Sequence, residues 1–147
     1  MNENSSKTAS ESPLLYVPVF LTESLLPFRS KETTFTRLYG NTNITIQGGA
    51  DETGQLPLAS GLLARRLLFH FITQAWLKNS PKVNICGTQT LLKKLGINRN
   101  GHNRKALKKQ VYYLSMMTIR VKEYFGIDGE GFRNRNIPLM NGIDIYN

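Results

Sequence analysis

Apolar positions along the chain follow two periods. In residues 61 to 77, GLLARRLLFHFITQAWL, they fall at Ala64, Leu67, Leu68, Phe71, Ile72, Ala75 and Trp76, a spacing of three and four that lines one broad face of a helix. Leu107, Val111 and Leu114 repeat that spacing and predict another helix, with Asn103 as its N-cap. Between the two, QTLLKKL reads as a short helix capped by Thr88. Gly96 then ends it in the left-handed conformation, and Ile97 folds back. The second period is two. TFTRLYGNTNITIQGG alternates at Thr42, Ile44 and Ile46, with Gly40-Asn41 as a turn. KVNIC, residues 82 to 86, offers a short strand. TIRVKEYFG and FRNRNIPL flank the Gly-rich IDGEG and predict a hairpin.

The order is strand, long helix, short strand, short helix, polar turn, third helix, hairpin. It predicts an α+β fold, a winged helix-turn-helix of three helices with a small antiparallel sheet and a β-hairpin wing. At 147 residues the chain has room for one core. Residues 1–13 are polar and read as a disordered tail. Residues 14–34 hold many large apolar groups with Pro18 and Pro27 and read as an extended apolar arm that packs on this chain or another. Residues 35–147 form the expected winged-helix DNA-binding domain.

Charge sharpens this picture. Nineteen Lys and Arg against ten Asp and Glu give a net charge of +9. Between Pro57 and Lys122 lie Arg65, Arg66, Lys78, Lys82, Lys93, Lys94, Arg99, Arg104, Lys105, Lys108, Lys109, Arg120 and Lys122, with no acid among them. A surface helix ordinarily mixes signs, because opposite charges three or four residues apart stabilise it by roughly 0.2–0.5 kcal/mol per pair. NRKALKKQVYYL forgoes that help. At 100° per residue, Lys105, Lys108, Lys109 and Tyr112 lie opposite the apolar stripe, with Arg104 at the edge. Unopposed positive charge on one face implies a polyanionic partner, most often nucleic acid.

In this fold the third helix enters the major groove and the wing reaches a neighbouring groove or phosphates. Arg104, Lys105, Lys108 and Lys109 suit phosphates or guanine edges. Asn103 suits an adenine, and Tyr112 a phosphate hydrogen bond or stacking. Lys93 and Lys94 on the second helix, with Arg99 in the turn, would grip the backbone. Arg133 and Arg135, two apart on the second wing strand, share a face.

Catalytic readings fare badly. Cys86, His70 and His102 have no spacing that would make a nucleophile pair or a zinc site. GADETGQ lacks the Lys-Ser/Thr of a phosphate loop, GIDGEG lacks calcium-ligand spacing, and Asp51 and Glu52 read as solvated. The expectation is no enzyme, no cofactor and no metal. One cysteine fits a reducing cytoplasm. No apolar run reaches the length of a membrane span.

Several blocks together resemble the RepA-type plasmid replication initiators, over about Phe35 to Val121. They are LYGNTNITIQGG before the first helix, LASGLLARRLLFHFITQAW through it with Thr73-Gln74-Ala75 at its close, LLKKLGI, and NGHNRKALKKQVYYLSMMTIRV leading to the wing. The resemblance implies binding to repeated double-stranded DNA sites at a plasmid origin, local duplex opening and recruitment of host replication proteins. It maps recognition to Asn103 through Tyr112 and wing contacts to Arg120 through Arg135. Direct repeats would suit monomers in tandem and inverted repeats a homodimer. Two other readings stand beside it: a winged-helix transcriptional regulator, since fold does not fix function, and a protein-interaction module whose basic face binds an acidic partner. RNA binding is a further alternative, weakened by the lack of the aromatic-rich sheet of common RNA modules.

Overall fold

The computed structural model describes residues 26, 27, 31–85, 87–140, 142 and 143. The polar tail 1–13, most of the arm and Cys86 lie outside the described residues. Strands β1 (Thr34–Tyr39) and β2 (Thr42–Gln47) form the first hairpin. Gly40, at φ +57°, occupies the first position of its two-residue loop, where a positive φ favours glycine. Next come the two-residue strands β3 (Ala50–Asp51) and β4 (Gly54–Gln55), then helices α1 (Gly61–Leu77), α2 (Thr88–Lys94) and α3 (Gly101–Met116). Strands β5 (Thr118–Phe125) and β6 (Gly131–Pro138) close the chain as a second hairpin. The main sheet is antiparallel in the order β1-β2-β5-β6, while β3 and β4 pair only with each other. This is the expected α+β winged helix, with β5 and β6 as the wing.

One face of the sheet meets the helices. Ile44, Ile46 and Ile119 join Ala64, Leu67, Leu68, Phe71, Leu91, Leu92, Leu107, Val111, Leu114 and Met117 in a single apolar core. The α3 stripe read from the sequence is buried throughout: Leu107 and Val111 are 1% exposed and Leu114 is 0%. Met117, the one residue between α3 and β5, is itself buried, and its carbonyl accepts from Leu139 N at 3.0 Å. Of the 14–34 segment, Leu26 is in this core at 3% exposure. Its carbonyl accepts from Arg65 Nη2 at 2.6 Å, and Pro27 O accepts from Gly61 N at 3.1 Å. Leu26 and Pro27 are therefore fastened to the first turns of α1.

Three local expectations are corrected. Residues 82–85 of KVNIC form no strand. Both edges of β5 are already taken, by β2 and β6, so no place beside β5 is left for it. The cap of α2 is Gly87, at φ +92°, rather than Thr88; Thr88 is the first helical residue and is buried. The cap of α3 is Asn100 rather than Asn103. Asn100 Oδ1 accepts from Asn103 N at 2.8 Å, the N-cap to N3 bond that satisfies an orphan donor of the first turn. The end of α2 follows expectation. Gly96 has φ +70°, Gly96 N donates to Lys93 O and Ile97 N to Leu92 O at 2.9 Å, the Schellman pair of bonds.

Candidate nucleic-acid interface

Helix α3 carries its charges on the side that its apolar stripe dictates. Arg104, Lys105 and Lys109 are exposed and Lys108 is half-buried. Arg104, Lys105 and Lys108, with Gly101, form one wall of an open groove of about 580 Å³, and Gly87 through Thr90 at the start of α2 form the other. The helix-turn-helix thus gathers three of the predicted cations along one concavity. Lys109 lies slightly apart, its Nζ 5.8 Å from the ring centre of Tyr113.

Hydrogen bonds position this helix and the one before it. The caps just described fix the turn before it. Gln110 Oε1 accepts from Ser60 N at 3.0 Å, pinning the middle of α3 to the start of α1. Arg66 Nη1 donates to Leu95 O at 3.1 Å, so α1 satisfies a carbonyl at the end of α2.

The side chains of Asn103 and Tyr112 are held by hydrogen bonds within the chain. Asn103 Nδ2 donates to Asn98 O at 2.9 Å, so reading an adenine with that amide means giving up this bond. Tyr112 Oη donates to Asp51 Oδ2 at 2.8 Å. Asp51 also accepts from Thr53 N at 2.8 Å and from the Thr53 hydroxyl. These bonds, Thr53 first and Tyr112 second, hold the Asp51 carboxyl below the usual carboxylate range. The same carboxylate pushes the Tyr112 phenol above the ordinary tyrosine value. Asp51, expected to be simply solvated, instead ties the β3–β4 hairpin to α3.

The other predicted cations are spread more widely. Lys93 and Lys94 are exposed in the last turn of α2, where positive charge complements the helix dipole. Arg99 is exposed in the turn. On the wing, Arg133 and Arg135 share the core-side face of β6, opposite Glu123 and Val121. Arg133 Nη1 is 4.0 Å from Glu123 Oε2, an exposed pair worth little by itself. The wing tip carries Asp128 and Glu130 around a fully exposed Ile127, so the wing's positive charge sits on its strands rather than at its tip.

His70 is half-buried on α1, and its pKa is lowered by burial first and by the Lys94 charge second. Among the described residues no group of three His, Cys, Asp or Glu side chains is placed to hold a metal ion. Among the same residues no helix is long and apolar enough to cross a membrane.

No protein-family model matches the chain, and no curated protein sequence matches it. Two solved structures share its fold. One is a crystal structure of domains 2 and 3 of RctB, a selenomethionine derivative, with a TM-score of 0.56 at 14% identity over 86% of this chain. The other, also of RctB domains 2–3, spans residues 155–483 and has a TM-score of 0.51 at 15% identity over 80% of this chain. The match covers 46% and 43% of those two chains. At such low identity the likeness establishes the architecture, a three-helix winged fold that also occurs within RctB domains 2 and 3.

Proposed function

We propose that this chain binds double-stranded DNA site-specifically and acts as a plasmid replication initiator of the RepA type. One observation carries the proposal: Arg104, Lys105, Lys108 and Lys109 occupy the outer side of the helix whose inner stripe, Leu107, Val111 and Leu114, is core, and no acid lies on that helix. A duplex supplies the missing negative charge. Its major groove admits a helix, and Arg or Lys can pair with guanine O6 and N7 there. The sequence blocks resembling the RepA-type initiators and the fold shared with RctB domains 2–3 support the same reading. In it, α3 reads base edges, Lys93 and Lys94 at the end of α2 grip the backbone together with Arg99, and Arg133 and Arg135 on the wing reach flanking phosphates. The role is binding and assembly at repeated origin sites, with host replication proteins recruited there and no chemistry by the chain.

The test is binding of the purified chain to duplex DNA from its own replicon against shuffled DNA of equal length, across a salt series. The reading expects preference for one repeated element that persists near physiological salt, with log affinity falling by roughly 0.9 per phosphate contact for each unit of log salt. Equal, salt-sensitive binding to both DNAs would reduce the basic face to a nonspecific phosphate grip and end the site-specific reading.

A further inference from the structure

The four strands have a second face. Its rows follow from the register: Thr36, Thr45, Arg120 and Asn136 form one, Leu38, Asn43, Lys122 and Asn134 the next, and Tyr124 and Phe132 close the series as directly opposed partners. The helices pack on the other face, the one bearing Ile44, Ile46 and Ile119. The single acid in the four strands, Glu123, is also on that core-side face, one residue out of phase with Lys122 and Tyr124. The outer face is thus basic, amide-rich and aromatic, without a carboxylate.

Its aromatic end has a particular form. Tyr124 is 37% exposed and Phe132 is 60% exposed. Lys122 Nζ lies 5.2 Å from the Tyr124 ring centre and 4.7 Å from that of Phe132. Arg120 follows two residues back, about 7 Å along the strand, with its Nε held on Asn136 Oδ1 at 3.1 Å. A cross-strand aromatic pair can serve the hairpin alone. Two large rings in solvent beside two cations on a sheet face without acids offer more: faces on which unpaired bases stack, and charges along which a phosphodiester backbone runs. Lys122 covers the rings in the free protein. A base taking its place over them leaves the ammonium for a phosphate.

We propose that this outer sheet face binds single-stranded nucleic acid, with Tyr124 and Phe132 stacking bases and Lys122 and Arg120 contacting the backbone. A duplex is a poor occupant, because its bases are stacked on one another and unavailable to the rings. The proposal uses none of the α3 residues assigned to duplex recognition and neither Arg133 nor Arg135, which lie on the opposite face of the wing, so either reading can fail without the other.

The experiment measures fluorescence anisotropy of the full chain with labelled oligothymidine and oligouridine of about 15 nucleotides, and separately with replicon duplex. Tyr124→Leu and Phe132→Leu keep an apolar side chain and remove the ring. Each is expected to weaken single-strand binding roughly fivefold to a hundredfold, the range for stacking one base on an aromatic side chain, with duplex affinity unchanged. Lys105→Ala with Lys108→Ala is expected to do the reverse. Whichever oligonucleotide is held tighter identifies the polymer. The proposal is overturned if the wild-type chain holds neither oligonucleotide, or if both ring variants bind them as the wild type does. It is equally overturned if those variants only lower the melting temperature or change the sedimentation of the free chain, which would assign the rings to hairpin stability or to a second copy.

Discussion

The hydroxyl of Tyr112 on α3 donates to the carboxylate of Asp51 on the β3–β4 hairpin across 2.8 Å and 61 residues of sequence. It is the contact that gives the outer side of the basic helix a negative neighbour. It also fixes the direction in which Tyr112 emerges beside Lys108 and Lys109. Tyr112→Phe is expected to raise the Asp51 pKa part of the way back toward its ordinary value, because the larger contribution, from Thr53, remains. NMR titration of the Asp51 carboxyl measures this. The sign follows from the two shifts. Asp51 is more acidic in the folded chain, so its contribution to stability is present above the unfolded carboxylate pKa and is lost as pH falls through the folded one. Tyr112 is shifted upward, so its contribution is complete below the unfolded tyrosine pKa and is lost as pH rises through the folded one.

Leu107→Ala should destabilise the fold by roughly 2–5 kcal/mol, the cost of emptying a fully buried leucine site, as read by denaturant unfolding. Lys105→Ala with Lys109→Ala should leave the unfolding midpoint nearly unchanged, since both side chains are exposed. The same variant should weaken duplex binding and flatten its salt dependence, by about 0.9 in slope for each phosphate that is no longer neutralised. A large loss of stability in the lysine variant would put those lysines on the wrong side of the helix.

Gly49→Ala is expected to be destabilising although Gly49 lies outside the core. A Cβ there would stand 2.6 Å from the Met116 carbonyl oxygen, a backbone atom that cannot rotate away. The last turn of α3 or the β2–β3 junction must shift, at about 1–3 kcal/mol if it behaves as overpacking elsewhere does. Thermal melting checks it, with Gly101→Ala as the contrast, because that position has open space.

Asn100→Ala should cost about 1 kcal/mol, the usual value of an N-cap side chain. Asn103→Ala should cost less, since only its exposed amide bond to Asn98 O is removed and its backbone N–H keeps the Asn100 acceptor. The two midpoints by chemical denaturation distinguish cap from first turn.

The sequence pattern defined the helix 61–77 because its apolar face is wide and its ends are marked. It also defined the wing, where two β-branched or alternating runs flank a glycine-rich tip. What it missed depended on partners far along the chain. Residues 82–85 have the composition of a strand, but composition does not show that β2 and β6 occupy both sides of β5. Asn100 and Asn103 are equally good caps in isolation. Gly101 between them has a poor helix propensity and pulls the expected start three residues late, whereas the chain accepts one unfavourable glycine to gain the Asn100 cap. The pairing of Asp51 with Tyr112 leaves no local signature, because it arises only once the β3–β4 hairpin has folded against α3.

Only the buried Met117 separates α3 from β5, and Leu139, just past β6, is bonded to its carbonyl. Helix and wing therefore have no hinge between them and move as one lever. A duplex touched by both would meet a gauge of fixed opening, and adjustment would fall to the DNA. Discrimination between sites could then arise from how readily each sequence bends to that gauge, including at base pairs that no side chain touches.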